Sequence, residues 1–174
     1  ANTLCSLKLL GNSDRDFRCR EVISAKEGEM LVLVTGGAGR LGINTCKTLQ
    51  KKGFRVRVFD HASPRNRKSV KELGRKAEVF WGDLTNADSV RQAVDGVDAI
   101  VHMAGILPPV TEANPRLAEK VNVGGTKTLV DAIMAREKRI PFVFTSSVAV
   151  FGPTIMAIEP ISVAPPLPGM RDQS

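Results

Sequence analysis

The chain has 174 residues, 43% of them apolar, with 25 Lys and Arg against 18 Asp and Glu for a net charge of +7. That length suits about one domain with a real hydrophobic core, no apolar run approaches the roughly 20 residues of a membrane span, and the N-terminus lacks the pattern of a secretory leader. Cys5, Cys19 and Cys46 form neither a metal-binding pair nor a disulfide framework, so the composition reads as a cytoplasmic domain without a metal or a membrane partner.

The charge is uneven. Residues 1–75 hold 16 Lys and Arg against 7 Asp and Glu, whereas residues 76–174 hold 9 against 11. Only 5% of the chain is aromatic, and no basic stripe is interleaved with aromatic residues. The basic half therefore reads as a solvated surface, not a nucleic-acid face.

Residues 1–29 are polar and charged, show no sustained helix or strand period, and are expected to form an extension outside the core. Residues 30–152 then alternate apolar strands with helical stretches. Strands are predicted at 31–35, 55–60, 78–81, 98–102 and 141–146, with helices at about 40–52, 66–74, 86–95 and 114–138. In the first helix, Leu41, Thr45, Cys46 and Leu49 share one face and are expected to pack on the sheet. Asn86 suits an N-cap, and Pro115 suits the first turn of the last helix, where Leu117, Val121, Leu129, Ala132 and Ile133 read as core. This alternation predicts a parallel sheet with helices on both faces, doubly wound, with ligands at the carboxyl ends of the strands. Residues 153–174 contain five of the ten prolines and read as an extended tail.

Chemistry concentrates between the first strand and the first helix. Residues 35–42 read Thr-Gly-Gly-Ala-Gly-Arg-Leu-Gly. Glycines let a backbone turn sharply and approach a ligand, and the helix N-terminus that follows favours a pyrophosphate. Asp60 closes the second strand eighteen residues after Gly42, the place of the acid that takes a dinucleotide's ribose hydroxyls. Its carboxylate favours NAD by repelling a 2′-phosphate. Arg65, Arg67 and Lys68 follow closely and can pair with such a phosphate, so NADP stays open.

These residues resemble the extended short-chain dehydrogenases/reductases, the group of NAD-dependent epimerases and dehydratases. The likeness runs through Gly82-Asp83-Leu84, His102-Met103-Ala104-Gly105 and Val121-Asn122-Val123-Gly124-Gly125-Thr126. It ends in Ser146-Ser147-Val148-Ala149-Val150-Phe151-Gly152, similar to that group's Ser-Ser-x-x-Val-Tyr-Gly block. The resemblance implies a Rossmann-like domain in which Gly36, Gly39, Arg40, Leu41 and Gly42 cradle the pyrophosphate. It further implies that Asp83 and Leu84 meet the adenine, that Ala104 and Gly105 approach a ribose, and that Asn122 stabilises the nicotinamide side. Ser147 aligns with the serine that binds the reacting oxygen.

The departure is as informative. That group's acid/base is a tyrosine in a Tyr-x-x-x-Lys pair, and this chain has no tyrosine and no lysine beyond Lys138. The group's smaller C-terminal substrate domain is expected to be missing too. The chain reads as the NAD(P)-binding portion of such an enzyme, with Ser147 a remnant of the catalytic set and a complementing chain or homo-oligomer as partner. The other readings are a non-catalytic NAD(P)-sensing module acting through a partner, and an assembly role through the sheet edge and the tail.

Overall fold

Parallel strands need long crossovers, and the order of the elements supplies them. The computed structural model describes residues 30–147. The predicted extension over 1–29, the tail over 153–174 and the motif residues 148–152 lie outside the described residues. The chain divides into two units, at Val143 and Phe144. Of the second unit, residues 144–147 are described and are exposed.

Five strands form one sheet in the order β3-β2-β1-β4-β5: β1 Leu31–Thr35, β2 Arg55–Asp60, β3 Ala77–Trp81, β4 Ala99–His102 and β5 Phe142–Phe144. The pairs β2–β3, β1–β2 and β1–β4 are parallel. From β1 the chain winds outward to β3 and then returns to the other side of β1 for β4. The winding therefore reverses between β1 and β4, the point at whose carboxyl ends such sheets take their ligands.

Strand β1 is buried along its whole length, as befits a central parallel strand covered on both faces. Its side chains alternate between two cores. Leu31 and Leu33 join Phe59, Val90, Ile100 and Leu129 on one face; Val32 and Val34 join Ile43, Cys46, Val56 and Val58 on the other. The first core lies under α3 (Ala87–Val94) and α6 (Thr126–Met134), which pack on one another; the second lies under α1 (Arg40–Lys51).

Several elements differ from the sequence reading. Helix α2 spans Pro64–Ser69 and begins before residue 66, because Ser63 caps it and Pro64 occupies its first turn; a 3₁₀ segment, Val70–Lys76, carries the chain on to β3. The predicted helix over 114–138 is divided, with α5 (Pro115–Glu119) opening it and α6 ending it at Met134. A separate short helix, α4 (Val110–Ala113), precedes it, and the predicted strand at 141–146 holds only three residues of ladder. Between α5 and α6 the helix widens into a π segment, Lys120–Gly125. The Thr126 hydroxyl donates to Asn122 O at 2.6 Å and the Thr128 hydroxyl to Gly124 O at 3.0 Å; such back-bonding competes with the helix ladder and bends it.

On α1, Cys46 and Leu49 pack on the second core as predicted, whereas Leu41 does not. Gly42, Ile43 and Cys46 are buried, while Leu41 is 69% exposed. Gly42 must face inward because it packs on the glycine turn, which swings Leu41 out. Leu117 too is exposed rather than core. Asn86 caps α3 as predicted, accepting from Ser89 N at 2.9 Å.

Candidate functional site

The glycine turn lies at the carboxyl end of β1, beside the reversal of the winding. Gly36 has φ +68°, a left-handed conformation, and a Cβ there would stand 2.8 Å from Ala104 N. A Cβ on Gly42 would stand 2.2 Å from Gly36 O and 2.6 Å from Gly37 Cα. Both positions are glycine because the protein's own backbone fills the space. Gly39 is different: the nearest atom to its Cβ would be Gly36 O, at 3.1 Å.

Helix α1 starts from Gly39, which has no side chain to cap it, and its first turn carries no acidic residue. The positive end of the helix dipole therefore has no acidic side chain from the helix's own first turn, an arrangement that favours an anion there. Arg40 and Leu41, both exposed, flank that end.

Asp60 closes β2 against this turn. Its Oδ2 accepts the N–H of Ala38 at 2.9 Å, and its Oδ1 accepts His61 N–H at 2.7 Å and Asn66 Nδ2 at 3.1 Å. Asn66 also donates to His61 O at 2.9 Å. Burial pushes the Asp60 carboxyl above its ordinary range, while the N–H groups of Ala38 and His61 pull it down. A carboxylate offers about four lone-pair positions, so these three bonds leave room for a ribose hydroxyl. Of the three nearby cations, Arg67 stacks over the Trp81 ring, 5.2 Å from its centre.

Asp83 is exposed after β3. Its Oδ1 accepts the backbone N–H and the hydroxyl of Thr85 at 2.8 and 2.9 Å, and the Thr85 N–H above all holds the carboxyl below its ordinary range. Leu84 is buried in the first core, where a Cβ on Gly125 would stand 2.8 Å from it.

After β4 the chain is held by side chains from elsewhere. The Thr35 hydroxyl accepts the N–H groups of Met103 and Ala104, each at 3.2 Å. Asn122 accepts Ile106 N–H at 2.7 Å and donates to Ile106 O at 3.0 Å. Half-buried in the π segment, it clamps the loop beside Gly105, whose Cβ would stand 3.4 Å from the Asn122 amide oxygen. Widened helical turns of this kind recur at functional sites.

The structure thus joins Gly36 to Ala104, Asp60 to the turn at Ala38, and Asn122 to the loop at Gly105 and Ile106. Asp83 bonds within its own turn. Ser147 stands among the exposed residues of the second unit. Sequence reasoning missed Asn66 and the bonded set of buried Thr35 and His102 with half-buried Thr126; a histidine ending an otherwise apolar strand was the available signal for that set. Among the described residues no cluster of metal-ligating side chains occurs and no helix is long and apolar enough to cross a membrane.

A profile of the NAD dependent epimerase/dehydratase family matches residues 32–168. The chain belongs to this family. Its relatives within the family include the 3 beta-hydroxysteroid dehydrogenase/Delta 5→4-isomerase of Mycobacterium tuberculosis, 42% identical over 67% of this chain and 31% of that one. Human 3 beta-hydroxysteroid dehydrogenase type 7 is 33% identical over 75% of this chain and 36% of that one. Among solved family structures, the UDP-glucose-4-epimerase of Stenotrophomonas maltophila, crystallised with NAD and formylated UDP-arabinopyranose, superposes with a TM-score of 0.65. It is 27% identical, over 71% of this chain and 38% of that one. The chain thus spans about a third of these hydroxysteroid dehydrogenases.

Proposed function

We propose that this chain is the NAD-binding portion of an oxidoreductase or epimerase acting on a secondary alcohol or its ketone, with no competent active site of its own. The observation that carries the reading is the contrast among the glycines. Gly36 and Gly42 are required by the protein's own backbone, whereas Gly39 caps a helix whose dipole has no protein anion in its first turn. In this reading a pyrophosphate lies against Gly39, Arg40 and Leu41, and Asp60 accepts an adenosine-ribose hydroxyl. Asp83 and Leu84 bound the adenine, and the backbone of Ala104 and Gly105, steadied by Asn122, borders the second ribose.

NAD supplies the hydride acceptor when bound; the residues named here bind and orient it. The NAD in solved relatives supports that cofactor. Arg65 and Lys68, exposed on α2, keep NADP as the second candidate. Relatives named for hydroxysteroids and for UDP-glucose share a ring-borne hydroxyl as the reacting group, which supports a secondary alcohol as substrate class. Ser147 is assigned to that oxygen by motif, and these 174 residues hold no tyrosine to act as its acid/base partner. Isothermal titration of the 174-residue chain with NAD and NADP tests the reading: measurable affinity, tighter for NAD, is expected, and no affinity for either overturns it.

A further inference from the structure

His102 ends β4 with 1% of its surface exposed, and its imidazole is bonded at both nitrogens. Nδ1 lies 2.6 Å from the Thr35 hydroxyl and Nε2 lies 2.9 Å from the Thr126 hydroxyl. Hydroxyls can turn either way, but their other partners fix the direction here. The Thr126 hydroxyl has one proton, and the Asn122 carbonyl 2.6 Å away can only accept it. Thr126 must therefore accept from His102, so Nε2 carries the ring proton. Nδ1 is then an acceptor and takes the proton of the Thr35 hydroxyl. That oxygen uses its lone pairs for the N–H groups of Met103 and Ala104. Every donor finds an acceptor, and the chain of bonds runs one way, from the β4 loop through Thr35, His102 and Thr126 to the π segment.

We propose that His102, as the neutral Nε2–H tautomer, is a positioning residue for the dinucleotide site. It ties the strand that feeds the glycine turn to the helix whose Asn122 clamps the loop at Ile106. The proposal rests on the NAD-binding reading above. Both ends of the chain of bonds reach that site. At one end the backbone of Ala104 lies where a Cβ on Gly36 would fall, so a shift of the 103–104 loop moves the turn. At the other, Asn122 holds Gly105 and Ile106 through the same π segment whose carbonyl Thr126 engages. The Phe142 ring, 6.0 Å away at an interplanar angle of 29°, flanks the imidazole, and burial favours its neutral form. Reversing any one bond leaves two donors facing each other or a buried group unmatched, which is costly in a low-dielectric interior.

Nitrogen-15 NMR of the chain's two imidazoles, with His61 assigned through His61→Gln, reads the tautomer directly. Protonated Nε2 and bare Nδ1 are expected at His102. Thr126→Val removes the acceptor and is expected to raise the Kd for NAD at least tenfold, and Thr126→Ser to restore it. An Nδ1–H imidazole in the wild type, or NAD binding by Thr126→Val as tight as wild type, overturns the positioning role while leaving NAD binding intact. A wild-type chain without NAD affinity overturns the cofactor reading instead, whatever the imidazole signals show.

Discussion

The Asp60 carboxylate accepts the backbone N–H of Ala38 at 2.9 Å, so the group proposed to choose the cofactor also holds the turn that binds it. Asp60→Ala removes both functions, whereas Asp60→Asn keeps an amide oxygen for Ala38 N–H but turns an NH2 toward the donors His61 N–H and Asn66 Nδ2. A hydrogen bond to a charged group is worth about 1.5–3 kcal/mol. Asp60→Ala should therefore weaken NAD tenfold or more and lower the thermal midpoint. Asp60→Asn should lower the midpoint less than Asp60→Ala and shift preference toward NADP. Calorimetry with both cofactors, beside thermal melts, checks this; tighter NADP than NAD binding by the unmodified chain would hand the choice to Arg65, Arg67 and Lys68.

The same carboxyl predicts a pH dependence. Burial raises it above its ordinary value of 3.8, so its own contribution to stability is complete below the unfolded value and is lost as pH rises through the folded one. Cofactor affinity runs the opposite way, because a ribose hydroxyl needs the ionised acceptor. Asp83 and Asp98 are lowered, chiefly by the N–H groups of Thr85 and Leu31; their stability is lost only as pH falls through values below the ordinary one. NAD affinity should thus start to fall on acidification before these carboxylates destabilise the fold. Titrations stepped downward from neutral pH toward the ordinary carboxylate range check this, with Asp60→Asn as the flat control.

Gly39 and Gly42 should separate binding from folding. A Cβ at Gly39 meets only Gly36 O, at 3.1 Å, whereas at Gly42 it would lie 2.2 Å from the same oxygen. Gly39→Val should leave a folded chain that no longer binds NAD, its branched side chain occupying the phosphate path. Gly42→Ala should cost about 1–3 kcal/mol or more through forced backbone movement. Melting both variants and titrating them with NAD gives the test. Equal NAD affinity in Gly39→Val and wild type would remove the phosphate assignment.

What was legible in the sequence was local. Leu31–Thr35, the glycines after it and Asp60 follow from apolar runs and turn chemistry, and Asn86 could be read as a cap from its place before Ala87. What was not legible depends on partners distant in sequence. The widening at Lys120–Gly125 lies beside hydroxyls that bond backwards, and an apolar periodicity is silent about both. Leu41 matched the helical period but lost its place to Gly42, whose fit is set by the backbone at Gly36. Asp60 was assigned to a ribose by spacing alone; nothing in the spacing discloses Ala38 or Asn66. His102 could be placed on a strand but not given a tautomer, because that needs Thr35 and Thr126 on either side of it.

The last prediction concerns turnover. General acid–base catalysis by a positioned group supplies roughly 10²–10⁴-fold, and the chain has no tyrosine to supply it. Histidine is the side chain that titrates unaided near neutrality, and there are two, His61 and His102. Both nitrogens of His102 are committed to Thr35 and Thr126, and His61 follows Asp60, at the end of the site assigned to the adenosine. The 174-residue chain should therefore bind NAD without transferring hydride. The measurement is NADH absorbance with hydroxysteroids, UDP-sugars and simple secondary alcohols, each with the chain alone. Steady absorbance growth that disappears in Ser147→Ala would show that another residue, or a second copy of the chain, supplies the missing base.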